Sequence, residues 1–419
     1  MVLRAPLIGL LAWLWIALMN PNREVYGFLH GAPLNLYLAV LTAAAWLVSR
    51  DRKVISPTSF TVFLLLFLGW ASISTFYALD RTQALPIWER TAKTFILAIA
   101  VTMLGDSRVR LQAIVWVIAV SLGYYAVKGG GFTLLSGGHS RVFGPESSMI
   151  EDNNALGLAL VMLLPLLNYL RLTSARPIIR AALFGTIGLT LVAVLGTYSR
   201  GALIALGAAA LVYAARARHG ILVLFAGAVL VLSLPSFLPS GWSERMSSIS
   251  TYDQDSSFQG RLEAWQTSVN IALARPFIGG GFLAVEQTWI AKAYSSPGSL
   301  QQGRAAHSVY FQVLGETGFV GLLLYLAVVG AAIANTFNVL GATRDRPELL
   351  WANQLARMLQ VSIAAFLTGG AALSMAYYDG AIVVLALTAA LRQVVNNLES
   401  SRLPAWKAER SLGIASGAR

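Results

Sequence analysis

The stretch "IIRAALFGTIGLTLVAVLGTYSRGALIALGAAALVYAA", residues 178–215, contains two apolar runs separated only by a tight turn. Residues 178–197 hold a single charge, Arg180, and residues 201–215 hold none. A bilayer core is crossed by roughly 17–25 mostly apolar residues in a helix. Two such runs back to back read as a membrane hairpin. The fold then depends on how many more runs the chain contains.

The whole composition agrees with a membrane protein. Of 419 residues, 56% are hydrophobic and 12% charged, and the mean hydropathy is +0.64. These values lie well outside the soluble range. Apolar runs occur at 6–19, 34–48, 58–77, 85–104, 111–127, 153–170, 178–197, 201–215, 220–234, 318–339, 354–376 and 379–396. The expectation is an all-α polytopic protein of about twelve spans. No small-residue cleavage site follows the first run, which reads as a retained span. With both ends assigned to the cytoplasm, 18 of the 31 Lys and Arg residues fall on the inner side, mostly in short segments. Short basic loops set orientation, so the rule favours this topology. The net charge of +12 is scattered among apolar runs, which argues for loop bias and against nucleic acid. Cysteine is absent, which excludes thiolate catalysis, Cys-ligated zinc and disulfides.

The domain organisation follows from the runs. Residues 1–234 would hold nine spans, 306–396 three more, and 397–419 a cytoplasmic tail. Two outer segments are too long for simple turns, and such loops are usually functional or disordered. Residues 128–152 read as an irregular, re-entrant-type loop. Residues 235–305 read as a helical subdomain, in which Phe258, Leu262, Trp265, Val269 and Ala272 recur at helical spacing.

Candidate chemistry gathers on the outer side. Arg261 lies beside that apolar stripe, and Arg200 sits in the turn "GTYSRGALIAL" with Tyr198 and Ser199. Each suits either of two roles, a snorkelling headgroup anchor or a planar fork for phosphate oxygens. Arg141 is in "GHSRVFGPESSMIEDNNALGLAL", where Asp152, Asn153 and Asn154 precede a span as a helix cap would. Glu89, Arg90 and Lys93 fall inside one run, facing either the bundle or the lipid boundary. His30 and His219 read as solvated turn residues, and His139 is open to either reading. His307 opens the first turn of the helix in "AAHSVYFQVLGETGFVGLLLY", with Arg304 three residues before it, and "GETG" interrupts that helix. A histidine near arginines is either structural or a base kept neutral by their charge. No carboxylate group has metal-site spacing: Glu151 with Asp152, and Asp253 with Asp255, are ordinary loop pairs. "FIGGGF" lacks the strand and helix context of a nucleotide loop. Arginines without metal ligands suit a diphosphate, and none of this calls for a cofactor.

Four segments, "RVFGP…DNNALGLAL", "TYSRGALIAL", "GRLEAWQTSVNIALARPFIGGGF" and "AHSVYFQVLGETGFVGLLLY", resemble the O-antigen ligase family in sequence and in order. They are most similar to the branch of O-glycosylation ligases associated with exosortase systems. The resemblance covers about residues 140–325. It implies a GT-C-like glycosyltransferase fold in the bacterial inner membrane, with a periplasmic active site. It implies inverting, metal-independent transfer of a glycan from undecaprenyl diphosphate to lipid A–core. The family's functional residues map onto Arg200, Arg261 and His307, with Arg141 and Arg304 added for the diphosphate. O-antigen or exopolysaccharide polymerases and protein O-glycan ligases share these motifs. A transporter would show inverted repeats and broken midplane helices, and no repeat is visible here.

Overall fold

The computed structural model describes residues 5–25, 27, 31–49, 58–216, 220, 256–296 and 301–400. Among the described residues every regular element is helical. In chain order they are α1 (Pro6–Met19), α2 (Leu34–Val48), α3 (Ser59–Phe76), α4 (Arg81–Leu104), α5 (Arg108–Leu135), α6 (Asn153–Thr173) and α7 (Pro177–Gly196). Then follow α8 (Arg200–Ala214), α9 (Ser256–Ala274), α10 (Thr288–Tyr294), α11 (Val309–Ala342), α12 (Leu350–Gly370) and α13 (Asp379–Ser400). Eleven of the twelve expected runs coincide with one of these helices. The twelfth, 220–234, lies outside the described residues, Gly220 apart. Residues 235–255 and 297–300 of the outer segment, the tail beyond Ser400, His30, His219, Asp253, Asp255, Arg4, Arg50, Arg52, Lys53 and Arg218 also lie outside them.

By length and composition, α3, α5, α6, α7, α11 and α13 can each cross a membrane. These are six among the described residues, and the other helices fall short of that measure for visible reasons. α1, α2 and α8 are apolar but shorter. α4 carries Glu89, Arg90 and Lys93, and α12 carries Arg357 with Asn353 and Gln360. The chain is a multi-pass membrane protein whose centre is formed by α6, α12 and α13, each mostly buried.

Small residues allow close crossings at this centre. A Cβ on Gly157 of α6 would stand 2.7 Å from that of Ala202 in α8. Polar bonds then tie the helices: Ser362 donates to the Met162 carbonyl (2.8 Å), Gln360 to Thr336 (2.9 Å) and Arg392 to Asn335 (3.0 Å). In lipid such bonds contribute about 0.6 kcal/mol each.

One expected boundary is wrong. The segment 128–152 is not one irregular loop, because α5 continues through Lys128 and the glycine triplet to Leu135. A Cβ at Gly130 would collide with the Leu189 carbonyl of α7. The glycines serve a helix crossing there, and packing overrides their usual loop signal. Only 136–152 is irregular.

The last structural decision is a break in α11. Gly318 has φ 71° and ψ −172°, a conformation open essentially to glycine alone. "FIGGGF" fills the break. Gly280 and Gly281 donate to the carbonyls of Gly315 and Glu316, and Phe319 donates to Pro276. From α3, Trp70 Nε1 donates to Thr317 (3.1 Å) and Ser74 to Glu316 (2.8 Å). The glycine run is thus a clasp around a broken helix.

Candidate active site

The start of α6, the α7–α8 turn, the start of α9, the approach to α11 and the α12–α13 turn come together at one end of the bundle. Asn153 of α6 donates to the Thr197 carbonyl (2.6 Å). A Cβ at Gly201 would stand 3.8 Å from Ala372, which follows α12. Arg200, Arg261, Arg304 and His307 lie in these segments, and the Arg141 loop is bonded to the α7–α8 turn.

The α7–α8 turn is built around Tyr198, whose φ of 57° is left-handed. Its hydroxyl donates to the Gly138 carbonyl. Ser199 is the N-cap of α8 and accepts from the Ala202 amide (3.1 Å). Both hydroxyls thus bond backbone groups. Arg200 is the first residue of α8, partly exposed, at the helix end that favours anions. The Arg141 loop is tied to the same turn, with Val142 donating to Gly196 (2.9 Å). The Arg141 guanidinium stands 5.8 Å from the Tyr198 ring centroid.

Asp152 is the N-cap of α6, accepting from the amides of Asn154 and Ala155. Glu151 accepts from the Ser147 amide (2.8 Å). Both acids of the loop pair hold backbone, and no metal-binding group of acids and histidines occurs among the described residues. His139 bonds the Ser136 carbonyl through Nδ1 (2.9 Å), beside the end of α5. Lys93 pairs with Glu89 one turn away (2.5 Å).

The amphipathic helix is present as α9, but its buried face is not the expected stripe. Leu262 is 40% exposed, while Ala264, Ser268 and Ile271 are buried, and of Leu262, Trp265, Val269 and Ala272 in the expected stripe only Ala272 is fully buried. The small face packs on α11, where a Cβ at Gly315 would stand 3.1 Å from Ser268 Cβ. Large side chains were read as the core, but a close helix crossing selects small ones. Trp265 has a different task. It stacks on Phe311 at 4.9 Å and 13°, and its Nε1 donates to the Ala306 carbonyl (2.7 Å). It thereby pins the segment that carries His307.

Arg261 and Arg304 are neighbours at the start of α9, because the Arg304 guanidinium lies against Gly260, where any Cβ would collide with it. His307 is not in the first turn of α11. It precedes the N-cap Ser308, with φ 44°. Left-handed backbone is sparse for residues other than glycine, and it is held here by the His307 amide donating to Ser374 Oγ (2.7 Å). His307 is exposed. Surrounding protein still pushes its pKa below the ordinary value, mostly by desolvation and then by Arg261, while Asp152 opposes. Both charges act on one imidazole, which brings the starts of α6 and α9 near His307.

Sequence reasoning missed Ser374, the Trp265–Phe311 clamp and the proximity of Asp152 to His307. It also left Glu316 unread. That acid is 3% exposed and accepts from Tyr377 Oη (2.7 Å) and the Leu283 amide (3.1 Å). Only the glycines around it in "GETG" hinted at a special position.

Residues 185–326 match the family described as O-antigen ligase (Wzy_C), which bears out the resemblance read from the motifs. This region contains Arg200, Arg261, Arg304 and His307. Residues 1–175, which include Arg141, match a family of unknown function, DUF5935. No curated protein matches the chain. The family match supports activity of the O-antigen ligase or polymerase type, a general glycosyltransferase-like ligation at a membrane.

Proposed function

We propose that this protein is an O-antigen ligase, which transfers a glycan from undecaprenyl diphosphate to lipid A–core on the periplasmic face of the inner membrane. One observation carries the reading: His307, fixed by Ser374 just before α11, lies in the same end of the bundle as Arg261 and Arg304 at the start of α9 and Arg200 and Arg141 at the α7–α8 turn. An acceptor hydroxyl oxygen attacks the anomeric carbon, and the bond from that carbon to the diphosphate oxygen breaks. The diphosphate leaves with the electron pair. Arg200 and Arg261 neutralise the charge that builds on it, with Arg141 and Arg304 on its outer oxygens. His307 takes the acceptor proton. Direct attack inverts the anomeric configuration. An apolar side groove of about 740 Å³, lined by Trp116, Val120 and Tyr124 of α5 and by Leu183 of α7, suits an acyl or prenyl chain.

The test is transfer by the purified chain from a polyprenyl-diphosphate glycan. Offered lipid A–core and a second donor molecule, a ligase labels the lipid A–core. A product with doubled glycan on the donor lipid would make the protein a polymerase. Absence of either product, with the glycan still on its donor, would remove the glycosyltransferase reading.

A further inference from the structure

At the opposite end of the bundle, a cavity of about 870 Å³ lies between the end of α8, the end of α11 and the start of α12. Four of its lining residues are arginines, namely Arg216, Arg344, Arg346 and Arg357, and Asp345 is the only acid among them. Arg346 is paired with Glu399 (3.0 Å). Among the described residues, no carboxylate lies within ion-pair distance of the other three. Two positive charges therefore remain in excess.

The cavity is built rather than incidental. Arg357 Nε donates to Asn353 Oδ1 (2.8 Å), and its Nη1 donates to the Arg216 carbonyl (2.8 Å). Asn353 is itself held by donating to Thr343 Oγ1 (2.9 Å). The Arg216 guanidinium stands 5.6 Å from the centroid of the Phe337 ring. Guanidinium groups fixed in this way match phosphate geometry and favour it over a point-charge partner.

The rim identifies the ligand class. Phe337 is 52% and Leu350 56% exposed beside the arginines. A soluble anion gains nothing from apolar surface, whereas a lipid brings a phosphate and a hydrocarbon chain together. Basic pockets at the ends of spanning helices bind anionic headgroups in this way. We propose that this cavity binds an anionic phospholipid of the leaflet opposite the candidate active site. The phosphate is held by Arg216, Arg344 and Arg357, and an acyl chain runs along Phe337 and Leu350.

The full chain is placed in nanodiscs of phosphatidylcholine or of phosphatidylcholine with phosphatidylglycerol. Retained lipid is counted by native mass spectrometry, and the thermal midpoint is recorded. Phosphatidylglycerol should be retained in preference and should raise the midpoint. Each arginine near a charged surface contributes about fivefold. Arg344→Gln should weaken retention by about fivefold and Arg216→Gln with Arg344→Gln by about 25-fold. Asp345→Asn should strengthen it, which keeps the proposal testable if the double variant fails to fold. Lys292→Gln, on the exposed side of α10 and outside the cavity, should change nothing. Equal retention of the two lipids, or unchanged retention in both Arg344→Gln and Asp345→Asn, overturns the proposal. So does inorganic phosphate if, at millimolar concentration, it reproduces the midpoint shift and displaces the lipid, since the site would then belong to a soluble anion.

Discussion

Replacing His307 with glycine separates the chemistry of the imidazole from the conformation of its backbone. The wild-type residue is held at φ 44°. Left-handed backbone costs a residue with a Cβ about 1–2 kcal/mol. Glycine releases that strain but loses about 0.5–1 kcal/mol to greater freedom of the unfolded chain. The balance is between zero and roughly 1.5 kcal/mol in favour of the variant. The bond from the residue-307 amide to Ser374 Oγ needs no side chain and survives. Folding is therefore unchanged or slightly improved. Transfer moves the other way, because a positioned base is worth about 10²–10⁴-fold in rate. The assay is single-turnover transfer beside a thermal melt of the same preparation, followed by addition of free imidazole. The expected result is a melt at or above wild type, transfer reduced by that factor, and partial rescue by imidazole. Near-normal turnover in the glycine variant would refute the base. A melt lowered by several degrees, with transfer lost in proportion, would show that the residue is structural and the strain argument wrong.

The remaining predictions concern charge, the helix break and topology. His307 must be neutral to accept a proton, so transfer falls as pH drops through its pKa, and the acid limb should lie below the ordinary value of about 6.5. Arg261→Gln should move that limb upward. Asp152→Asn, which still caps α6, should move it downward, and pH profiles of kcat/KM that fail to shift in opposite directions would remove both charges from the site. Arg200→Ala and Arg261→Ala should lose most turnover at normal expression, with lysine at either place restoring only part because the planar fork is gone. Gly318→Ala should lower thermal stability by at least about 2 kcal/mol, combining a glycine-only conformation with a collision against the Phe277 carbonyl. Because the chain has no cysteine, Ser140→Cys should react with an impermeant thiol reagent from outside intact cells, and Ala175→Cys only after permeabilisation. The reverse pattern would invert the topology.

The helices were legible because lipid imposes one periodicity on every apolar run, and α1 and α2 begin and end where the runs do. Crossings between helices were not. Gly129–Gly131 looks the same in sequence whether it unwinds a chain or admits a neighbour, and only α7 decides. Leu262 and Ala264 show the same limit in α9, since a window of sequence cannot tell which face meets a glycine two elements away. In the candidate site, the arginines stood out as charges that needed a reason to exist beside lipid. Ser374 and Asp152 did not. A serine in a turn and an acid before a helix have routine local uses, and their approach to His307 comes from folding alone.

The clasp around Gly318 also sets an order on biosynthesis. Trp70 and Ser74 wait on α3 for carbonyls that lie 247 and 242 residues further along the chain. A ribosome releases the N-terminal helices first, so α3 enters the membrane long before its partners have been translated. The α12–α13 turn, which steadies His307 through Ser374, emerges later still. A chain that stops before Ser374 can therefore insert most of its helices and still lack the bond that holds residue 307. The backbone of His307 is steadied only once Ser374 has been made, 67 residues later.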